Sequence, residues 1–370
     1  MESLKLGFVG DIFPGGVLTF QGGISQEVKN TLNEYDLRIA NLESALCNTG
    51  SECQIKMTDP KLGNLVFSPE ESIEILKQLN INVVSLANNH IFDCDFEGLS
   101  RTIELLDKNN IAHFGAGRNE EETRKPAIIN VKGKKICFLG YFPPDWEAPY
   151  PPHGDIGGLN QFIVEDIVED IQKYKQLCDY VFIMPHWGKE HTLYPLLTNV
   201  KDLSLILKAK PTGILGSHSH IPQTSFVRDN VAVAMSMGNF IFPDRYIIHP
   251  RKTYYPTKEE RSKENIPITY DFPFVDTLTL VKMRNGGRVG MICEIILDDE
   301  TVSLKRHYTL LNKDNILEKY NMPFLNKVKM MLIKPLILYP LVYRIYSRIA
   351  NIFLSRICRT HYRIGRFDDR

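Results

Sequence analysis

The chain has 370 residues, 43% of them hydrophobic, which is enough for a sizeable core and unlike a disordered composition. That length suits two domains, or one large α/β domain with an appendage. The formal net charge is zero but uneven: Phe324–Arg370 carries 10 Lys/Arg against 2 Asp/Glu, so this tail is +8 and the remainder −8. Only the tail has an electrostatic reason to seek phosphates or anionic lipid, and no nucleic-acid motif accompanies the charge, so nucleic acid is not an expected partner.

No uninterrupted apolar run reaches the roughly 20 residues of a spanning helix. Met1–Val9 runs into a strand pattern without a basic-then-apolar leader, which predicts no signal peptide. The seven cysteines are scattered, with no Cys-x-x-Cys pair. Cys47 and Cys53 are spaced to bridge a loop, but free thiols and a reducing compartment fit better. The expected location is cytoplasmic, with peripheral contact at the inner face of the membrane.

Taken in chain order, apolar runs alternate with helical patterns. Leu4–Val9 is a short strand ending at Gly10-Asp11, and Leu37–Ala40 another ending at Asn41-Leu42-Glu43. Pro69–Leu79 has helical spacing, and Val83–Leu86 is a buried strand ending at Asn88-Asn89-His90. Phe96–Lys108 is helical. Ile136–Leu139 and Tyr180–Met184 are strands, the second ending at Pro185-His186-Trp187. Leu203–Lys208 is helical, and Gly213–Leu215 is a strand ending at Gly216-Ser217-His218-Ser219-His220. Val231–Met235 leads into Gly238-Asn239-Phe240. The stretch from Asp244 to Phe272 is basic and rich in Pro and Tyr, which predicts a long functional loop. Asp276–Met283, Arg288–Leu297 and Thr301–Leu310 are predicted strands completing a second sheet, the middle pair joined by Asn285-Gly286-Gly287.

Polar residues able to bind a ligand thus recur just after short apolar runs. In α/β sheets ligands bind outside the carboxyl ends of the strands, so these side chains are expected at one edge. Singly, each has an ordinary reading: Gly-Asp as a turn, Asn-Asn-His as a helix cap, His186 as a satisfied core histidine. Together, Asp11, Glu43, Asn89, His186, His218 and His220 offer carboxylate, amide and imidazole donors without thiolate. That set suits Mn, Zn or Fe, as one ion or two. His90, beside Asn89, is left for proton transfer.

With Asp93, Gly115-Ala116-Gly117, Gly188 and Glu190 added, these motifs resemble the CapA family of capsule and poly-γ-glutamate synthesis proteins. The match runs from about residue 4 to 243 and more loosely to about 310. The family is similar to calcineurin-like metallophosphoesterases, so the resemblance implies a four-layer αββα sandwich. It also implies that Asp11, Glu43, Asn89, His186, His218 and His220 are metal ligands and His90 the general acid. In two places the pattern departs from the metallophosphoesterases: Phe13 stands where a first-strand histidine is usual, and Glu43 where an Asp is usual. In a third, Ser217 stands where many CapA-like sequences have His. Arg245, Asn88 and Trp187 are the candidate substrate contacts, for an anionic small molecule or polymer, with capsule-synthesis proteins as partners.

The expected organisation is a CapA-like domain over 1–310 and a basic amphipathic helical extension over 311–370. In Leu341–Arg359 the polar Arg344, Ser347, Arg348, Asn351, Ser355 and Arg359 fall along one helical face. An apolar helix with an arginine stripe predicts an interfacial helix on a membrane; the alternative is a helix docked on the domain. Two functions compete: metal-assisted hydrolysis or transfer on a phosphoester or amide, and a non-catalytic, membrane-associated component of polymer assembly.

Overall fold

The computed structural model describes residues 3–48, 64–144, 152–249, 252–270, 275–337 and 339–346. The elements that matter here are eighteen strands and six helices. The strands are β1 (Leu4–Ile12), β2 (Leu37–Leu42), β3 (Val83–Ser85), β4 (Ala112–Phe114), β5 (Ala127–Val131) and β6 (Lys134–Tyr141). They continue with β7 (Tyr180–Pro185), β8 (Gly213–Leu215), β9 (Ser225–Arg228), β10 (Val231–Ala234), β11 (Asn239–Ile241) and β12 (Arg245–Ile248). Last come β13 (Lys252–Tyr254), β14 (Ile268–Thr269), β15 (Thr279–Val281), β16 (Val289–Leu297), β17 (Val302–Leu311) and β18 (Ile316–Lys319). The helices are α1 (Gln26–Asn33), α2 (Ile73–Gln78), α3 (Asp95–Lys108), α4 (Val164–Tyr174), α5 (Leu197–Ile206) and α6 (Phe324–Ile337).

Two large sheets carry the fold. In the first, β18, β17, β16, β1, β2, β3 and β4 lie side by side, and β11 also pairs with β1. In the second the order is β9, β10, β8, β7, β6, β5. Alternation along the strands sorts the side chains into three apolar layers. Leu4, Leu6 and Phe8 of β1 meet Ile136, Phe138, Phe182 and Met184 of the second sheet. On the outer side of the first sheet, Val9, Ala40 and Val84 pack against Val28, Leu76 and Leu99 of the helices α1, α2 and α3. On the outer side of the second, Cys137, Leu139, Val181 and Ile183 pack against Ile167, Ile171, Val200 and Leu203 of α4 and α5. Helix, sheet, sheet, helix is the four-layer αββα sandwich.

The strands expected near the C-terminus form, with a different place. β16 pairs antiparallel with β1 and β17 with β16, so they extend the first sheet instead of completing the second. The sheet continues to Lys319 of β18, past residue 310. Asn285–Arg288 is a 3-10 turn entering β16. The expected loop after Asp244 is largely folded: β12, β13, β14 and β15 form a four-stranded sheet of their own.

Two further expectations change. Cys47 is not free: it is joined by a disulfide to Cys94, both buried, while Cys53 lies outside the described residues. Of Leu341–Arg359, residues 347–359 also lie outside them. In the described part Tyr343 is buried, and its hydroxyl donates to Pro195 O at 2.5 Å. The C-terminal segment is therefore docked on the second sheet's helix layer along one side, with Ile333, Ile337 and Tyr343 in that core.

Candidate metal centre

The site forms because parallel strands end together. β1 pairs in parallel with β2 on one side and β11 on the other, and the register sets Asp11 opposite both Asn41 and Asn239. Gly10 permits this crossing: a Cβ there would lie 1.8 Å from Gly238 O, the carbonyl that accepts from Asp11 N at 2.9 Å. From the second sheet, β7 and β8 end at His186 and Ser217, which pair across the strands. His218 and His220 follow with φ of 84° and 55°, left-handed values that non-glycine residues rarely adopt and that cluster at functional sites.

Asp11, Glu43, His186, His218 and His220 are all buried. They form two groups: Glu43, His186 and His218, and Asp11, Glu43 and His220, the donor atoms of each lying within 4.8 Å of one another. Glu43 belongs to both. In the first group His186 Nε2 lies 3.0 Å from His218 Nδ1, 2.9 Å from Asn89 Oδ1 and 3.5 Å from Glu43 Oε1. Ligands at ~2.1 Å from one ion are separated by about 3.0–3.4 Å, close to these spacings. In the second group Asp11 Oδ2 is 3.5 Å from His220 Nδ1, and His220 Nε2 is 3.8 Å from Glu43 Oε1.

Surrounding polar residues hold the donors in place. Asn41 Nδ2 donates to Asp11 Oδ1 at 2.9 Å, and His218 N donates to Asp11 Oδ2 at 3.2 Å. His186 Nδ1 is 2.8 Å from Ser217 Oγ. His186 Nδ1 also lies 3.2 Å from Asn41 Nδ2, so the ring is held through Nδ1 and its Nε2 points toward Glu43, Asn89 and His218. His220 Nδ1 is 2.7 Å from Asn239 Oδ1.

The electrostatics need a cation. Burial, then the charge of Asp11, raises the Glu43 pKa well above the usual carboxylate range. Neither Glu43 oxygen has a hydrogen-bond partner among the described residues. Burial pushes His186 down to about 3 and His218 well below the usual histidine range, so both imidazoles are neutral donors. Burial acts on His220 in the same sense, but Glu43, Asp11 and Glu190 together raise it to about 10. Without metal, a protonated His220 is thus the local counter-charge to the carboxylates. The donor set, its neutral imidazoles and its orphaned carboxylate fit a divalent ion.

His90 belongs to neither donor group, and its side chain is largely buried. Its Nδ1 is 2.7 Å from Asp93 Oδ2, and its backbone N–H donates to Asn88 Oδ1 at 3.1 Å. A histidine anchored through Nδ1 leaves Nε2 for proton transfer.

The three expected substrate contacts are placed differently from the ligands. Asn88 is fully buried, and its Nδ2 donates to Leu42 O at 2.8 Å and Asn41 Oδ1 at 3.2 Å. With its Oδ1 taken by His90 N, its amide is spent on joining the β2 and β3 ends. Trp187 is buried, and its Nε1 donates to Met235 O at 2.9 Å, so it packs the second sheet. Arg245 is 2% exposed, neither solvated nor at the surface. Its guanidinium lies 5.8 Å from the Phe13 ring and 5.7 Å from the Phe242 ring, and burial lowers its pKa to about 10. Phe13 therefore supports a buried cation from the position where a histidine would be a ligand.

Sequence reading missed Asn41, Ser217, Asn239 and His191. The first three were within the quoted motifs, but their roles lie in partners on other strands. His191 has its ring 5.5 Å from that of His220 and a left-handed φ of 55°.

Fold and site define an αββα sandwich with a buried carboxylate–histidine cluster of metal-binding type. The family described as "Bacterial capsule synthesis protein PGA_cap" matches residues 5–244, and the chain belongs to it. It is 26% identical over 251 residues to the PGA biosynthesis protein CapA of Bacillus subtilis, covering 65% of this chain and 64% of that protein. To the capsule biosynthesis protein CapA of Bacillus anthracis it is 26% identical over 257 residues, covering 65% and 60%. The chain thus spans somewhat under two thirds of the length of these curated relatives. Among solved structures it is similar to a hypothetical protein from Thermus thermophilus, with TM-score 0.46, 13% identity and coverage of 86% and 100%. It is also similar to the Haemophilus influenzae NAD nucleotidase, with TM-score 0.42, 12% identity and coverage of 90% and 56%. The layering described above rests on the chain's own packing.

Proposed function

We propose that this protein is a metal-dependent hydrolase or transferase of capsule or poly-γ-glutamate biosynthesis, acting on a phosphoester or a γ-glutamyl amide. The observation that carries the reading is Glu43: a buried carboxylate common to two donor groups, with neither oxygen hydrogen-bonded among the described residues. Asn89, His186, His218 and Glu43 would hold one ion of the Mn, Zn or Fe type, and Asp11, His220 and Glu43 would hold a second. Such ions polarise the electrophile and lower the pKa of a bound water.

The chain's own groups do the rest. Asn41 and Asn239 fix Asp11 and His220, and Ser217 and Asn41 hold the His186 ring through Nδ1. His90, held through Nδ1 by Asp93, is placed to deliver a proton from Nε2 to the leaving atom. Arg245 contributes a positive field behind the ligands that favours an anionic substrate, either a polymer carboxylate or a phosphate.

The test measures divalent metal bound to purified protein, then phosphodiesterase and γ-glutamyl amide hydrolysis by wild type and His90→Ala. Wild type should retain metal and turn over one substrate, and His90→Ala should keep the metal but lose ~10²–10⁴-fold in rate. A metal-free wild type, with no activity difference from His90→Ala, overturns the reading in favour of a non-catalytic polymer-binding component.

A further inference from the structure

Helix α6 has two apolar faces, and the structure covers only one of them. Met330, Ile333 and Ile337 are buried against the protein. Phe324, Leu325, Met331 and Leu332 are 63–77% exposed. At about 100° per residue these four fall within an arc of roughly 120°, opposite the docked face. At the same spacing Lys329 lies on one border of that arc and Lys327 and Lys334 on the other.

The exposure is concentrated, not scattered. The segment continues with Tyr339, Leu341, Val342 and Ile345, 47–71% exposed. Thus 8 of the 17 exposed large hydrophobics among the described residues lie between Phe324 and Ile345. Scattered exposed apolar residues need no explanation, but a contiguous set with a polar border marks a contact surface.

Beside this face is a cleft of about 950 Å³. Met331 reaches its wall, and Arg306, Lys319, Lys327 and Lys334 line it, with Glu27 as the acidic member. Lys319 Nζ is 3.1 Å from Glu27, so three positive charges are in excess. The chain from Phe324 onward adds a net +8.

We propose that α6 lies in the plane of an anionic phospholipid bilayer, between the protein body and the lipid. Its exposed face enters the acyl–headgroup boundary, and the flanking lysines and the cleft meet headgroup phosphates. No helix among the described residues is long and apolar enough to cross a membrane, so the contact is parallel to the surface. A soluble polyanion satisfies the lysines but leaves the leucines in water. A second copy covers the leucines but sets one +8 segment against another. The anionic bilayer answers both features, and this inference is independent of the metal centre.

The test is co-sedimentation of the full chain with vesicles of phosphatidylcholine alone or mixed with phosphatidylglycerol. Wild type should bind the mixed vesicles and not the neutral ones. Leu325→Asp combined with Leu332→Asp, and separately Lys327→Glu combined with Lys334→Glu, should each weaken binding by at least ~10-fold. Leu325 and Leu332 are exposed and outside the docked face, so thermal unfolding and metal content of that variant should be unchanged. Lys334 lies 5.9 Å over the Phe226 ring, so the lysine variant is compared at a temperature where its thermal unfolding shows it folded. Inorganic phosphate should compete no better than sodium chloride of matched ionic strength. Four results overturn the proposal: no preference for phosphatidylglycerol, full binding by the Leu325/Leu332 variant, selective competition by free phosphate, or a variant that only dissociates an oligomer.

Discussion

The strand ends and the C-terminal helix both gather charge, and they treat it in opposite ways. At the strand ends Asp11, Glu43, His186, His218 and His220 are buried and pressed against one another. Around α6 the lysines stand at the surface, where water meets the cost of their charge. Desolvating a charge is expensive unless it is paired or bound to a metal. The first arrangement balances its carboxylates internally, by a protonated His220 or by a bound cation; the second leaves its charge to solvent. Burial, more than composition, separates the two clusters.

The sharpest way to break this comparison is to remove one ligand. His218→Ala should abolish turnover and lower bound metal by half, because the group containing Asp11, His220 and Glu43 remains; atomic emission on desalted protein reads the metal. An unchanged metal content would place the ion elsewhere. Next in size, His90→Ala should cost ~10²–10⁴-fold in rate with metal retained. Asp93→Asn should produce a smaller loss of the same kind, since it weakens the hold on Nδ1 while its side-chain oxygen can still accept from Val66 N. Smaller again, Asn41→Ala or Ser217→Ala should weaken metal affinity ~10–100-fold, read by competition with a chelator. An effect on rate without one on affinity would assign these residues to the substrate.

The smallest effect concerns a carboxyl outside the cluster. Burial raises Asp202 on α5 from 3.8 to about 6. A raised folded pKa favours the protonated form, so its stabilising contribution is full below pH 3.8 and lost as pH rises through 6. Asp202→Asn should therefore match wild type near pH 4 and exceed it above pH 6, by about 1 kcal/mol after allowance for solvent screening. Calorimetry at the two pH values checks this. A penalty at neutral pH for the variant would mean the ionised carboxylate has a stabilising partner.

How much was legible in the sequence follows the same division. The ends of β1, β2, β7 and β8 were readable because each candidate donor closely follows its own apolar run. Asp11, Glu43, Asn89, His186, His218 and His220 lie close together in the structure. Asn41 and Asn239 were not readable as supports, because register across strands decides that both face Asp11. Arg245 shows the limit most clearly: its position after Gly-Asn-Phe was visible, but not that Phe13 and Phe242 enclose it. Asn88 and Trp187 lie beside Asn89 and His186 of the cluster, yet their polar atoms are spent on Leu42 and Met235. β16 and β17 were visible as strands, but alternation alone does not say which sheet a strand joins. The Cys47–Cys94 link joins residues 47 positions apart, a pairing that spacing does not reveal.

The central claim is that Glu43 serves two donor groups and is held there for a cation. The most direct test is the divalent metal content of wild type and Glu43→Gln after identical metal loading and desalting. The account predicts that wild type retains bound metal and that Glu43→Gln, folded by circular dichroism, retains almost none. Equal metal in both proteins, or none in either, would contradict it.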